Sequence, residues 1–163
     1  MSAGATMNGQ SIKEAMRDLL DEYAERIDSE RYEDWLELFT EDSVYQVIPR
    51  ENVDQNLPAS LIYCNSKNVL RDRIVSLLNA NEFNPHYDRH IISGVRVIEE
   101  QEGVWRVGAN YAVFQTNVEG ASKLFSVGRY ADKVVRQNGH LLFREKRVMV
   151  DSFSVPSMLA TPL

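Results

Sequence analysis

The sequence predicts an α+β fold, with helices in its first half and a long antiparallel sheet in its second. Two observations carry this. Up to about Ala80, apolar residues recur every three or four positions; from His90 onward, extended runs alternate with tight-turn signals. A third bounds the size: 163 residues, 44% apolar and 26% charged, make one domain with one core.

The elements follow in order. Residues 1–10 are small and polar and read as a flexible N-terminus ahead of a single domain over 11–163. Ser11 to Ile27 is a helix: Ile12, Ala15, Met16, Leu19, Leu20, Tyr23 and Ile27 share one face, and Ser11 with Glu14 forms a capping box. A short helix from Glu30 places Tyr32, Trp35, Leu36 and Phe39 together. Val44 to Ile48 is a strand stopped by Pro49, and Pro49 to Ser60 is a polar loop. Leu61 to Tyr63 is a short strand. A third helix runs from Ser66, its N-cap, to Ala80 on the stripe Val69, Leu70, Ile74, Leu77 and Leu78. Asn81 to Asp88 is a loop. Strands then span His90–Glu99, Val104–Thr116, Lys123–Arg136 and Leu141–Asp151, and Asn138-Gly139 marks a tight hairpin.

A sheet with one wet face alternates apolar and polar residues. These strands do not. Trp105, Val107, Tyr111 and Val113 stand against Val104, Ala112 and Phe114; Phe125, Val127, Ala131 and Val135 against Leu124, Tyr130 and Val134; Phe143 and Met149 against Leu142, Val148 and Val150. Three short helices cannot cover both faces, so the second face is expected to meet another chain. The tail over 152–163 carries no charge and is rich in apolar residues; it either folds back on its own domain or docks on a neighbour.

Net charge is −6, which argues against nucleic acid as a partner. The charge is uneven: residues 11–42 hold four basic and twelve acidic side chains, and the remainder is net +2. The acidic quarter is either a solvated helix face or a docking surface for an unlike face of a neighbouring chain. No run approaches the ~18 apolar residues of a membrane span. The N-terminus lacks a signal pattern, and one unpaired cysteine suits a reducing cytoplasm.

One cysteine and three histidines exclude a disulfide framework, a Cys-rich zinc module and an iron–sulfur cluster in this chain. The densest polar cluster is Asn84 to His90. In extended form His86, Asp88 and His90 point to one side, which admits three readings. One is an iron site of the facial-triad type, for which only His140 is left as a distal ligand. Another is acid–base chemistry in a pocket between helices and sheet, with Tyr45, Tyr63 and Tyr130 supplying hydroxyls. The third is an entry loop whose side chains hydrogen-bond backbone or partner groups. Cys64 reads as a buried thiol unless a histidine reaches it. The basic residues of the last two strands, Arg129, Lys133, Arg144, Lys146 and Arg147, read as ion-pairing residues.

Four segments together resemble one family. They are Tyr32-Glu33-Asp34-Trp35-Leu36-Glu37-Leu38-Phe39-Thr40-Glu41-Asp42 followed by Tyr45; Leu57-Pro58 through Ile62-Tyr63 into Leu70-Arg71-Asp72-Arg73-Ile74; Arg89-His90 opening the sheet; and Met158-Leu159-Ala160-Thr161-Pro162-Leu163. Their order and spacing resemble the small (beta) subunits of Rieske-type aromatic-ring-hydroxylating oxygenases. The resemblance implies an NTF2-like cone, a curved sheet wrapped around about three helices. It implies a large alpha subunit carrying a [2Fe–2S] Rieske cluster and a mononuclear iron, an α3β3 assembly with beta subunits in a trimer, and electrons from NAD(P)H through a reductase and in some systems a ferredoxin. It carries no catalytic, cofactor-binding or metal-ligating residue over to this chain. The segment from Glu51 to Ile74 looks most like members acting on salicylate, anthranilate, benzoate or terephthalate. A stand-alone isomerase or dehydratase of the same cone, using His86, Asp88 and His90, is the alternative.

Overall fold

Ser11 starts the first long helix in the computed structural model, which describes residues 6–7, 10–81, 85–151 and 162–163. Two short strands, β1 (Thr6–Met7) and β2 (Gln10–Ser11), pair antiparallel ahead of it. α1 (Ile12–Asp28) is closed by the capping box: Ser11 Oγ accepts the Glu14 N–H and the Glu14 carboxylate accepts the Ser11 N–H, each at 3.2 Å. Its buried stripe is Ala15, Met16, Leu19, Leu20, Tyr23 and Ile27. α2 (Tyr32–Leu36) buries Tyr32, Trp35 and Leu36.

Phe39 belongs to the next strand, not to that helix. β3 (Phe39–Pro49) starts earlier than its apolar run because Phe39 pairs with Phe143, and the Phe143 N–H reaches the Leu38 carbonyl at 2.8 Å. The expected loop after Pro49 contains one helical turn, α3 (Arg50–Asp54), with an Arg50–Asp54 ion pair at 3.7 Å. β4 (Ile62–Cys64) follows. In α4 (Lys67–Asn81), Ser66 Oγ accepts the Val69 N–H at 3.2 Å. Only Leu70, Ile74 and Leu77 of its expected stripe are buried; Val69 and Leu78 face outward, since α4 meets β3, β4 and α2 with one narrow side. No helix among the described residues is long and apolar enough to cross a membrane.

The long strands are β5 (His86–Gln101), β6 (Val104–Asn117), β7 (Ser122–Gln137) and β8 (His140–Val150). β5 begins four residues earlier than expected because His86 to Arg89 pair with Asn117 to Phe114 of β6. The six-stranded sheet runs β4-β3-β8-β7-β6-β5, with β3 parallel to β8 and the other neighbours antiparallel. Asn138 (φ 52°) and Gly139 (φ 79°) make the hairpin turn that the sequence marked.

Of the register shifts in the sheet, one on β7 and one on β8 set which of their side chains face inward. Val113 pairs with Ser126 and Phe114 with Leu124, so Phe125 is an extra residue that turns inward beside Ser126. Lys133 pairs with Glu145 and Val134 with Phe143, so Arg144 is extra and stays outside. Strict alternation therefore misplaces Phe125, Leu124, Leu142 and Phe143. Phe125, Tyr130, Val134, Phe143, Val148 and Val150 are buried; Leu124 and Val127 are exposed.

The inner face closes over α1, which lies mainly against β5. Tyr23 from α1 meets Trp35, Phe39, His90, Tyr130 and Phe143 at ring-centroid distances of 5.6 to 6.5 Å. A charge sits in this aromatic core. Lys146 Nζ lies 2.8 Å from Asp132 Oδ2, 3.3 Å from the Tyr130 ring centroid and 4.4 Å from that of Tyr23. Burial pushes Lys146 down to about 8 and Asp132 up to about 6, and each partner's charge opposes the other's shift. Pro162 and Leu163 are buried, Leu163 completely; the rest of the tail, 152–161, lies outside the described residues.

Two outcomes are expected. Gly128 faces the Met149 carbonyl of β8 and the Tyr111 ring so closely that an added Cβ overlaps both. Gly128→Ala should cost about 2–3 kcal/mol by overpacking, read from the urea midpoint; a change under ~0.5 kcal/mol would contradict the close approach. Lys146→Met leaves the Asp132 carboxylate buried without its cation and should cost ~3–5 kcal/mol, while Lys146→Met with Asp132→Leu recovers most of it. A double variant no more stable than the single would show that the pair is not the source of the loss.

Candidate functional site

The three residues of the expected cluster are divided between two partnerships. Period-2 geometry does put His86, Asp88 and His90 on one side of β5, facing the helices. His86 Nε2 lies 3.4 Å from Asp88 Oδ2. His90 instead meets Asp28, from the last turn of α1: Nδ1 is 2.6 Å from Oδ1, and the His90 backbone N–H donates to Oδ2 at 2.8 Å. Both side chains are sealed, and His90 Nε2 has no partner among the described residues. A general base must reach the proton it abstracts. His90 is fixed by Asp28 and screened by the Tyr23 ring edge-on. The sequence held no sign of this partner, because Asp28 is 62 residues away in a helix.

The expected tyrosine hydroxyls also separate. Tyr63 is exposed. Tyr45 and Tyr130 are buried, and burial raises Tyr45 to about 12 and Tyr130 well above its usual range. The Tyr45 hydroxyl accepts the Leu163 N–H at 3.0 Å, and the Tyr23 hydroxyl donates to the Leu163 carbonyl at 2.5 Å. These groups hold the chain's own backbone. Cys64 is buried, and burial raises its thiol above the usual value, opposite to what a nucleophilic cysteine needs. Among the described residues no three His, Cys, Asp or Glu side chains gather to hold a metal ion.

The outer face of the sheet is different. Near one end Ile91, Ala112 and Val127 align across β5, β6 and β7, with Phe114 and Leu124 in the next row. Ile91 is 54% exposed, Leu124 55%, Val127 38% and Phe114 37%, a contiguous apolar patch rather than scattered residues. Further along, Arg96, Gly108, Ala131, Arg147 and Gln46 form one row across five strands. Gly108 and Ala131 are its low floor, beneath a depression of about 1160 Å³ lined by both signs of charge: Arg106, Arg129, Lys133 and Arg144 beside Asp42, Glu99, Glu102, Asp132 and Glu145. Lys133 pairs with Glu145 at 3.1 Å and Arg106 with Glu99 at 3.2 Å. Arg96, Arg129, Arg144 and Arg147 have no ion pair among the described residues. A second depression, lined by Ile48, Leu57, Pro58, Tyr63 and Arg147, adjoins it at Arg147. Neither is lined by His86, Asp88 or His90. The outer face thus combines an exposed apolar patch at one end with a depression bearing unpaired arginines at the other.

The model of the ring hydroxylating beta subunit family matches residues 22–157. The chain is 39% identical over 145 residues to the anthranilate 1,2-dioxygenase small subunit of Burkholderia cepacia, covering 89% of this chain and 90% of that one. It is 32% identical over 142 residues to a terephthalate 1,2-dioxygenase terminal oxygenase beta subunit of Comamonas, covering 86% and 92%. Among solved structures, a Novosphingobium aromaticivorans protein assigned as the beta subunit of an aromatic-ring-hydroxylating dioxygenase superposes with a TM-score of 0.84, at 35% identity over 93% of this chain and 96% of that one. With a curved six-stranded sheet around N-terminal helices and a family match over most of its length, this chain belongs to the ring-hydroxylating beta subunit family.

Proposed function

We propose that the chain is the non-catalytic beta subunit of the terminal oxygenase of a multicomponent aromatic-ring-hydroxylating dioxygenase. The observation that carries this reading is the division of its residues. The buried Lys146–Asp132 and His90–Asp28 pairs and the Tyr23 and Tyr45 hydroxyls are tied up within the fold, and its outer sheet face leaves apolar side chains in water. A subunit that supports another chain needs the second property and does without an open acid–base pocket.

In this reading the chain contributes no cofactor ligand. The [2Fe–2S] Rieske cluster and the mononuclear iron belong to a large alpha subunit, and the assembly is α3β3 with the beta subunits self-associated as a trimer. A reductase, with or without a ferredoxin, delivers electrons from NAD(P)H in the cytoplasm. The substrate class is an aromatic carboxylate. Its support is the identity to subunits of anthranilate and terephthalate dioxygenases, two enzymes whose substrates share that group.

Expressed alone, the chain should be colourless and inactive on aromatic carboxylates; co-expressed with its large subunit it should co-purify in a brown, iron-containing complex. Asp88→Asn should leave turnover of that complex within about twofold per folded assembly. Loss of turnover in a fully assembled Asp88→Asn complex, or stoichiometric iron on the isolated chain, would overturn the non-catalytic assignment.

A further inference from the structure

We infer that the arginine-bearing half of the outer sheet face docks the acidic α1–α2 surface of a second copy of this chain. The inference rests on the proposed self-association and adds which two surfaces meet. On the sheet side, Arg96 and Arg147 flank the low floor of Gly108 and Ala131, and Arg129 and Arg144 stand beside it. Among the described residues all four lack a carboxylate partner, and the Arg147 Nε is buried without a hydrogen bond; of the acids lining the same depression, Glu99, Glu145 and Asp132 are paired with Arg106, Lys133 and Lys146, which leaves Asp42 and Glu102 against the four arginines. A guanidinium fork matches a carboxylate with two parallel hydrogen bonds, so unpaired arginines around a trough select carboxylates.

The chain carries the matching surface itself. Asp21 and Glu25 on α1, Glu30 in the turn, and Glu33 on α2 are exposed and have no cation within 4 Å among the described residues. Residues 11–42 hold twelve acidic side chains against four basic ones; apart from Asp28, buried against His90, and Asp42, which lines the arginine depression, they make this the acidic pole of a chain that is net positive elsewhere. α1 packs on the inner side of the sheet, so its solvent side and the sheet's outer face look in different directions. Two complementary surfaces placed apart on one chain give a head-to-tail contact, which forms a closed ring when its rotation allows. The face-to-face arrangement is disfavoured, because it sets arginines against arginines.

The experiment uses the full chain, alone and in the co-expressed complex, with mass read by light scattering and sedimentation velocity. Arg96→Glu with Arg129→Glu reverses the sheet face at exposed positions; Asp21→Lys with Glu33→Lys reverses the helix face. Each double variant alone should lose the oligomer or weaken it at least tenfold, and all four substitutions combined on one chain should restore association, since every head-to-tail contact is then complementary again with its charges exchanged. Raising salt from ~0.05 to ~1 M should weaken the parent oligomer without any substitution, as exposed charges are screened. An oligomer indifferent to salt and to both variants, or no restoration when the four substitutions are combined on one chain, overturns the proposed contact while leaving self-association standing. A parent chain that is monomeric both alone and within the complex overturns self-association itself.

Discussion

A lysine ammonium fixed inside an aromatic core is the constraint on which the rest of this fold depends. Lys146 comes from β8, its counter-ion Asp132 from β7, and the rings around it from β7 (Tyr130), α1 (Tyr23) and β8 (Phe143). Taking both charges out of water costs several kcal/mol each, and the pair is tolerated only where geometry and neighbouring groups compensate. Here the 2.8 Å hydrogen bond and the π faces compensate together: the first requires β7 and β8 in register, and the Tyr23 face requires that α1 meet the sheet at the same point. Slipping β8 by one residue against β7 would carry the ammonium to the opposite face, so this pair helps define the strand register.

That demand explains the bulge beside it. With strict alternation Phe143 and Lys146 fall on opposite faces, yet both are buried. The extra residue Arg144 lets both point inward. Phe125 and Ser126 solve the same problem on β7: both are buried, and the Ser126 hydroxyl meets that of Tyr111 at 2.9 Å. Curvature, core content and the outer face are thus linked. Each bulge bends the sheet around α1 and decides which apolar side chains remain outside.

This is where sequence reading reached its limit. The Ser11–Glu14 capping box, the spacing of Leu19, Tyr23 and Ile27, and the Asn138-Gly139 turn are local signals, and they placed α1 and the hairpins. The sheet's two apolar faces were legible as composition. Which of Leu124 and Phe125 belongs to which face was not, because a bulge is settled by the partner strand. The early starts of β3 and β5 have the same cause: pairing with β8 and β6 supplies the hydrogen bonds, whatever the local pattern. At the site, the shared side of His86, Asp88 and His90 followed from period 2. The capture of His90 by Asp28 is tertiary and left no trace in spacing.

The scarcity of metal-ligating residues and the surplus of exposed apolar ones are two sides of one economy. A domain of this size has one interior. In this chain that interior is filled by Tyr23, Trp35, Phe39, Tyr130 and the caged lysine, with Leu163 held by two tyrosine hydroxyls. An active site needs space and a titratable group within reach of a substrate. His90 and Tyr45 are buried and hydrogen-bonded to Asp28 and Leu163, and Tyr130 is buried with its ring against the Lys146 ammonium, so in the proposed role the cone serves as a rigid body. Rigidity suits a platform: it holds the outer face of β5 to β7 in one shape, and an apolar surface of fixed shape buries against a partner with little further ordering cost. An aromatic interior closed around one ion pair, and an outer face that leaves Ile91, Leu124 and Val127 exposed, both fit the proposed supporting role.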